Sequence, residues 1–129
     1  MSTQRIRAGA SVDLVSAMLN IRDQIKVYHC QTKSFARHKA TDDFVSSLDE
    51  KIDEFVEVYM GKYGRPRVHG SIKFHNYSES AARTFVAKQT TFLSKVLPRK
   101  LKDTDTDLLN IRDEILALVN KTLYLFTLH

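Results

Sequence analysis

Residues 37–62 read RHKATDDFVSSLDEKIDEFVEVYMGK, and two patterns are superposed in them. Phe44, Val45, Leu48, Ile52, Phe55, Val56 and Tyr59 recur at three- and four-residue steps, the pattern of one apolar stripe on an α-helix. The other face carries charge. Between Thr41 and Glu57 stand seven acids, Asp42, Asp43, Asp49, Glu50, Asp53, Glu54 and Glu57, against the single base Lys51. Gly61, Gly64 and Pro66 end the helix, and its stripe demands partner helices to bury it.

Partners lie on both sides. Val12, Leu14, Val15, Met18, Leu19, Ile21, Ile25 and Tyr28 predict a first helix over residues 12–31 with Ser11 as its N-cap, and QTKSFA reads as a tight connection to the second. Downstream, GKYGRPRVHGSIKFH holds three of the four glycines and no periodic pattern, so it reads as a long crossover. A third helix is expected from Asn76, in a capping box with Glu79, through Ala82, Phe85, Val86, Phe92, Leu93 and Val96 to a stop at Pro98. Thr106 caps a fourth, carried by Leu108, Leu109, Ile111, Ile115, Leu118, Val119, Leu123 and Phe126. The expected fold is an all-α four-helix bundle of one domain, residues 1–129, with residues 1–10 as a flexible basic arm.

Composition agrees. With 43% apolar and 27% charged residues but only four Gly and two Pro, the 129-residue chain is expected to form one regular core. The first residues, MSTQRIRAGA, lack the apolar run of a signal peptide, and charge interrupts every apolar stretch, so a soluble, cytoplasmic protein is expected, with no membrane partner. The single cysteine, Cys30, excludes an internal disulfide and is expected to be a buried thiol. The net charge of +5 is segregated. Lys62, Arg65, Arg67 and Lys73 form one basic cluster, Lys95, Arg99, Lys100 and Lys102 another, and Arg5 and Arg7 lie in the arm. Arg5, Arg7, Arg65, Arg67, Arg99 and Lys100 are therefore the candidate nucleic-acid contacts.

His38, Asp42, Asp53 and Glu57 carry the strongest chemical signal. At about 100° per residue they fall within a ~100° arc of one helix face. Asp42 and Asp53 are nevertheless about 16 Å apart along the axis, far beyond the reach of ligands around one ion. An antiparallel copy of the helix, related by a two-fold axis near Ser46 and Ser47, brings the His38/Asp42 end of one chain to the Asp53/Glu57 end of the other. His29, beside His38, adds a nitrogen ligand. Mixed imidazole and carboxylate ligands suit iron, with Mn or Zn as competitors.

The run YHCQTKSFARHKATDDFVSSLDEKIDEFVE resembles the metal-site signature of the Dps mini-ferritins. Three residues separate His38 from Asp42, ten separate Asp42 from Asp53, and three separate Asp53 from Glu57, as in that family, while the gap of eight between His29 and His38 is shorter than the family's. The resemblance implies a ferritin-like bundle and a ferroxidase centre shared between two-fold related subunits. Its ligands would be His29, His38, Asp42, Asp53 and Glu57, cycling Fe2+ and Fe3+ in a homo-oligomer of at least two and up to twelve subunits. HCQTKSFARHKA and EFVEVYMGKYGRP also resemble an uncharacterised family of large DNA viruses, which implies a host cytoplasm or a virion. The competing expectation is a non-catalytic bundle that packages nucleic acid or builds a virion.

Two lesser features complete the reading. LNIRDQI at residues 19–25 recurs as LNIRDEI at residues 109–115, read as an amphipathic turn used twice rather than a core site facing Asp23 to Asp113. His69 and His75 fall in the crossover and are expected to be solvent-exposed, while Tyr59, Tyr63, Phe74 and Tyr77 are expected to pack the bundle ends.

Overall fold

The structure, a computed structural model, describes residues 2–68 and 70–129, with side chains from Leu14 onward. Four helices form it: α1 (Ser2–Gln31), α2 (Phe35–Tyr63), α3 (Glu79–Thr91) and α4 (Thr106–Leu125). α1 packs on α2 and α3, and α4 packs on the same two, so α1 and α4 occupy one diagonal of a four-helix bundle. α1 begins at Ser2 rather than at residue 12, which places Ser11 inside the helix. No proline precedes Ser11 to prevent that.

The α1–α2 hairpin closes through local bonds. Ser34 sits extended as the N-cap of α2, and its Oγ accepts from the Arg37 amide at 3.2 Å. Twenty-nine residues later Gly64 ends the helix at φ 89, a left-handed backbone that favours glycine, with its N–H on the Met60 carbonyl at 2.9 Å. The crossover that follows is fastened to α1 by two glutamines two turns apart. Gln24, fully buried, donates from Nε2 to the His75 carbonyl at 2.9 Å and accepts the His75 N–H on Oε1 at 2.8 Å. Gln31 accepts the Tyr77 N–H at 2.7 Å and donates to Asn76 Oδ1 at 3.0 Å. The crossover therefore runs the length of the bundle, and α3 starts beside the start of α2, where Arg37 donates to the Glu79 carbonyl at 2.8 Å. α2 and α3 are parallel, while α1–α2 and α3–α4 are antiparallel pairs.

The third helix departs from expectation at both ends. Ser78, not Asn76, is its N-cap, since Asn76 is engaged by Gln31 and Ser78 Oγ accepts from the Ala81 amide at 3.1 Å. Pro98 acts on the helix before it is reached. The ring cannot donate to the Ser94 carbonyl and crowds it, so the backbone widens into a π turn (Phe92–Val96), where the Leu97 amide bonds to Phe92, and then tightens into a 3-10 turn (Leu97–Lys100). Leu93 and Leu97 remain fully buried through this change. The core joins them to Met18, Ile25 and Tyr28 of α1, Phe44, Leu48 and Phe55 of α2, Val86 of α3, and Leu108, Ile115 and Val119 of α4.

Asp105, rather than Thr106, is the N-cap of α4, and its side chain turns to the end of α2. Its buried carboxylate accepts from Tyr63 Oη at 2.7 Å, from Lys62 Nζ at 2.7 Å and from the Lys102 amide at 2.9 Å. Burial alone raises a carboxyl group's affinity for protons, but the bonds from Lys62, Lys102 and Tyr63 outweigh it and hold Asp105 below the usual carboxylate range. Tyr59 packs beside Tyr63, with ring centroids 4.8 Å apart, so these two aromatics do fill a bundle end, whereas Phe74 is half exposed.

A depressed carboxyl stabilises the fold above its unfolded value near ~3.9 and loses that contribution as pH falls below it. Asp105→Asn is expected to cost about 2 kcal/mol at pH 7, because a neutral amide removes the ion pair with Lys62 and accepts through one oxygen where the carboxylate accepts through two. Urea midpoints measured at pH 7 and pH 3 are expected to show a smaller gap between variant and parent at pH 3.

Candidate metal-binding face

α2 turns its acidic face outward. His38, Asp42, Asp53 and Glu57 are all exposed, and Asp42, Asp53 and Glu57 form no ion pair or hydrogen bond with a described residue. Two other acids of the helix are occupied: Asp49 takes Arg22 Nη1 at 2.7 Å, and Glu54 takes Lys51 Nζ at 3.3 Å, while Lys51 also reaches Glu114 of α4. Three unpaired carboxylates in one row form a surface that concentrates cations.

The hairpin brings His29 and His38 together. Their rings stack with centroids 4.0 Å apart and planes 23° off parallel. Each ring is tied to the other residue's backbone: His29 Nδ1 lies 3.0 Å from the His38 carbonyl, and His38 Nδ1 lies 3.1 Å from the His29 carbonyl. A carbonyl only accepts, so both Nδ1 atoms carry hydrogen, and in the neutral rings both Nε2 atoms present a lone pair. Thr41 secures the arrangement. Its hydroxyl donates to the Arg37 carbonyl at 2.7 Å and accepts from His29 Nδ1 at 3.2 Å. Backbone bonds that fix the tautomer of a ligating imidazole are the usual support of a metal site.

The expected ligands are thus brought together only in part. His29 and His38 meet, Asp42 follows one turn after His38, and Asp53 and Glu57 remain at the far end of the same face. Among the described residues no three His, Cys, Asp or Glu side chains converge on one point. The thiol of Cys30 is exposed rather than buried, because the last turn of α1 points it away from the stripe that holds Ile25 and Tyr28. Asp23 and Asp113 do not face one another in the core. Each is bound by the arginine before it, at 3.0 and 2.8 Å, and their side chains are 33% and 61% exposed.

The sequence reading missed two contributors. Thr41 is recognisable only once the hairpin has stacked the histidines. Phe35, 78% exposed, lies within the same arc as the ligands, and its position on the face was legible from spacing alone.

The basic candidates collect at the opposite end. Because Lys62 reaches Asp105, the end of α2 and the start of α4 are adjacent, which places Arg65 and Arg67 in the same region as Arg99 and Lys100. Arg65, Arg67 and Arg99 are exposed and Lys100 is half-buried. The side chains of Arg5 and Arg7, and all of His69, lie outside the described residues; His75 is exposed. No helix among the described residues is long and apolar enough to cross a membrane.

Residues 29–126 match a protein family described as a family of unknown function, DUF5856. Over 37 residues the chain is 54% identical to an uncharacterised 14.6 kDa protein from the mobD-ri intergenic region of Enterobacteria phage T4, a match that spans 29% of each protein. No solved structure matches. These likenesses agree with the expected resemblance to an uncharacterised viral family, and neither bears a mini-ferritin's name.

The tautomers are directly measurable. Long-range nitrogen–proton correlation spectra of the neutral protein are expected to show Nδ1–H and bare Nε2 for both His29 and His38, and Thr41→Val is expected to weaken the His29 signal of that form.

Proposed function

The chain belongs to that family, and on this premise we propose that it binds a divalent metal of the iron class in sites completed by a second copy across the outer face of α2. One observation carries the reading. The exposed features of that face are symmetric about a midpoint between Ser47 and Leu48: His38 mirrors Glu57, Asp42 mirrors Asp53, and the exposed Phe35 mirrors the half-buried Met60. Antiparallel pairing of two α2 helices sets each member against its mirror image, which closes two identical ligand clusters and gives Phe35 an apolar partner at each end. The ring of Phe35 is otherwise the most exposed large apolar side chain described.

The chemistry follows from the residue types. His29, His38 and Asp42 of one subunit with Asp53 and Glu57 of its mate form a mixed nitrogen and oxygen set suited to Fe2+, with Mn2+ and Zn2+ as competitors. Iron held by these residues would supply redox chemistry toward dioxygen or peroxide, which is the ferroxidase reading in a ferritin-like bundle. Two faces rich in carboxylate repel each other when bare, so bound cations strengthen the pairing. The expected outcome is one iron per chain and a dimer or larger particle when the protein is sedimented with Fe2+ under anaerobic conditions. His38→Ala and Asp53→Ala are each expected to lower metal affinity by about tenfold or more and to shift the particle toward monomer. A parent protein that stays monomeric and iron-free overturns the proposal.

A second reading rests on the basic end, where two separate segments carry Arg65 and Arg67, and Arg99 and Lys100, beside the joined ends of α2 and α4. Nucleic-acid phosphates are the fitting partner, in a packaging role. Neutralising these four residues is expected to weaken binding to DNA of any sequence and to reduce the salt-dependence slope by about one per lost contact, while His38→Ala leaves DNA binding unchanged.

A further inference from the structure

Away from α2, a cleft of about 540 Å³ opens between the last turns of α1, the end of the crossover and α3. Its walls include Tyr28, Asn76, Ser80, Thr84, Phe85 and Lys88, and no carboxylate lines it. Tyr28 is only 2% exposed, yet its hydroxyl makes no hydrogen bond with a described residue. Burial raises its tendency to keep the proton, so it stands as an unused donor. Its ring meets Phe85 edge-on at 6.0 Å and Tyr77 edge-on at 6.0 Å, and the buried Tyr77 hydroxyl is likewise unpartnered. The Tyr28 hydroxyl thus reaches the cleft without a protein acceptor, while the Tyr77 hydroxyl lies outside the cleft lining.

The polar groups are ordered along the cleft. Ser80, Thr84 and Lys88 are spaced four residues apart and share one face of α3. The first turn of α3 offers amide hydrogens without helical acceptors, and Lys88 forms no ion pair with a described residue. From Ser80 to Lys88 is about 12 Å along the axis, long enough for a ring and an oxyanion to sit side by side. The half-buried Phe85 ring supplies the apolar wall, backed by the buried Tyr28.

We propose that this cleft binds a small organic anion in which a flat ring carries a phosphate, a ligand of nucleoside monophosphate type, with the ring against Phe85 and beside the Tyr28 hydroxyl, and the oxyanion toward Lys88 and the hydroxyls of α3. The proposal is independent of the metal face. Ligand-observed NMR on the whole protein is expected to detect binding of adenosine 5′-monophosphate, with both adenosine and inorganic phosphate binding about tenfold more weakly. Tyr28→Phe, which deletes only the unpartnered hydroxyl, is expected to weaken binding by about fivefold without lowering the melting temperature, and Lys88→Gln to weaken it by a similar factor. Absence of binding at millimolar nucleotide, equal binding of phosphate alone, or binding unaffected by both variants overturns the proposal.

Discussion

Rise per residue is the constraint on which the account turns. An α-helix advances about 1.5 Å per residue, so Asp42 and Asp53 remain about 16 Å apart on α2 however the rest of the chain folds around them. Side chains of that length cannot meet within one subunit. The same rigidity makes the face useful, because a straight rod with mirror-related features presents both halves of a site to an antiparallel copy at a fixed spacing. A flexible loop carrying the same residues would offer no such register.

The rest of the bundle holds that rod in place with its acidic face outward. At one end the stacked histidines, Thr41 and the Arg37 guanidinium, which lies 4.3 Å from the centroid of the Phe126 ring, tie α2 to α1 and to the end of α4. At the other, the buried Asp105 gathers Lys62, Tyr63 and the Lys102 amide. The crossover leaves this second end and returns along α1 under the grip of Gln24 and Gln31, which leaves the outer face of α2 uncovered. Polar side chains thus do the fastening at the ends, while the apolar stripes of all four helices fill the middle.

Much of this was legible beforehand. The 3.6-residue stripes gave all four helices, and the glycine-rich stretch gave the crossover, because both signals are local. What was missed depends on contacts distant in sequence. Asn76 has the spacing of a cap, but Gln31 claims its side chain and Ser78 takes the role. Pro98 signals a stop in the sequence, whereas tertiary burial of Leu93 and Leu97 keeps the chain helical through a π and a 3-10 turn. The residue type of Cys30 favours burial, but its angular position on α1 places it outside. Of the candidate site, the stripe on α2 was visible from spacing, while the locking of His29 and His38 by each other's carbonyl was not, since it needs the closed hairpin.

The mirror symmetry of α2 is tested most directly by isotope-filtered NMR on a Zn2+-loaded sample mixed from labelled and unlabelled chains. The account predicts cross-peaks between the Phe35 ring of one protomer and the Met60 methyl of its partner. Intermolecular contacts that exclude these two residues, or none at all from a protein that remains monomeric with zinc bound, would contradict it.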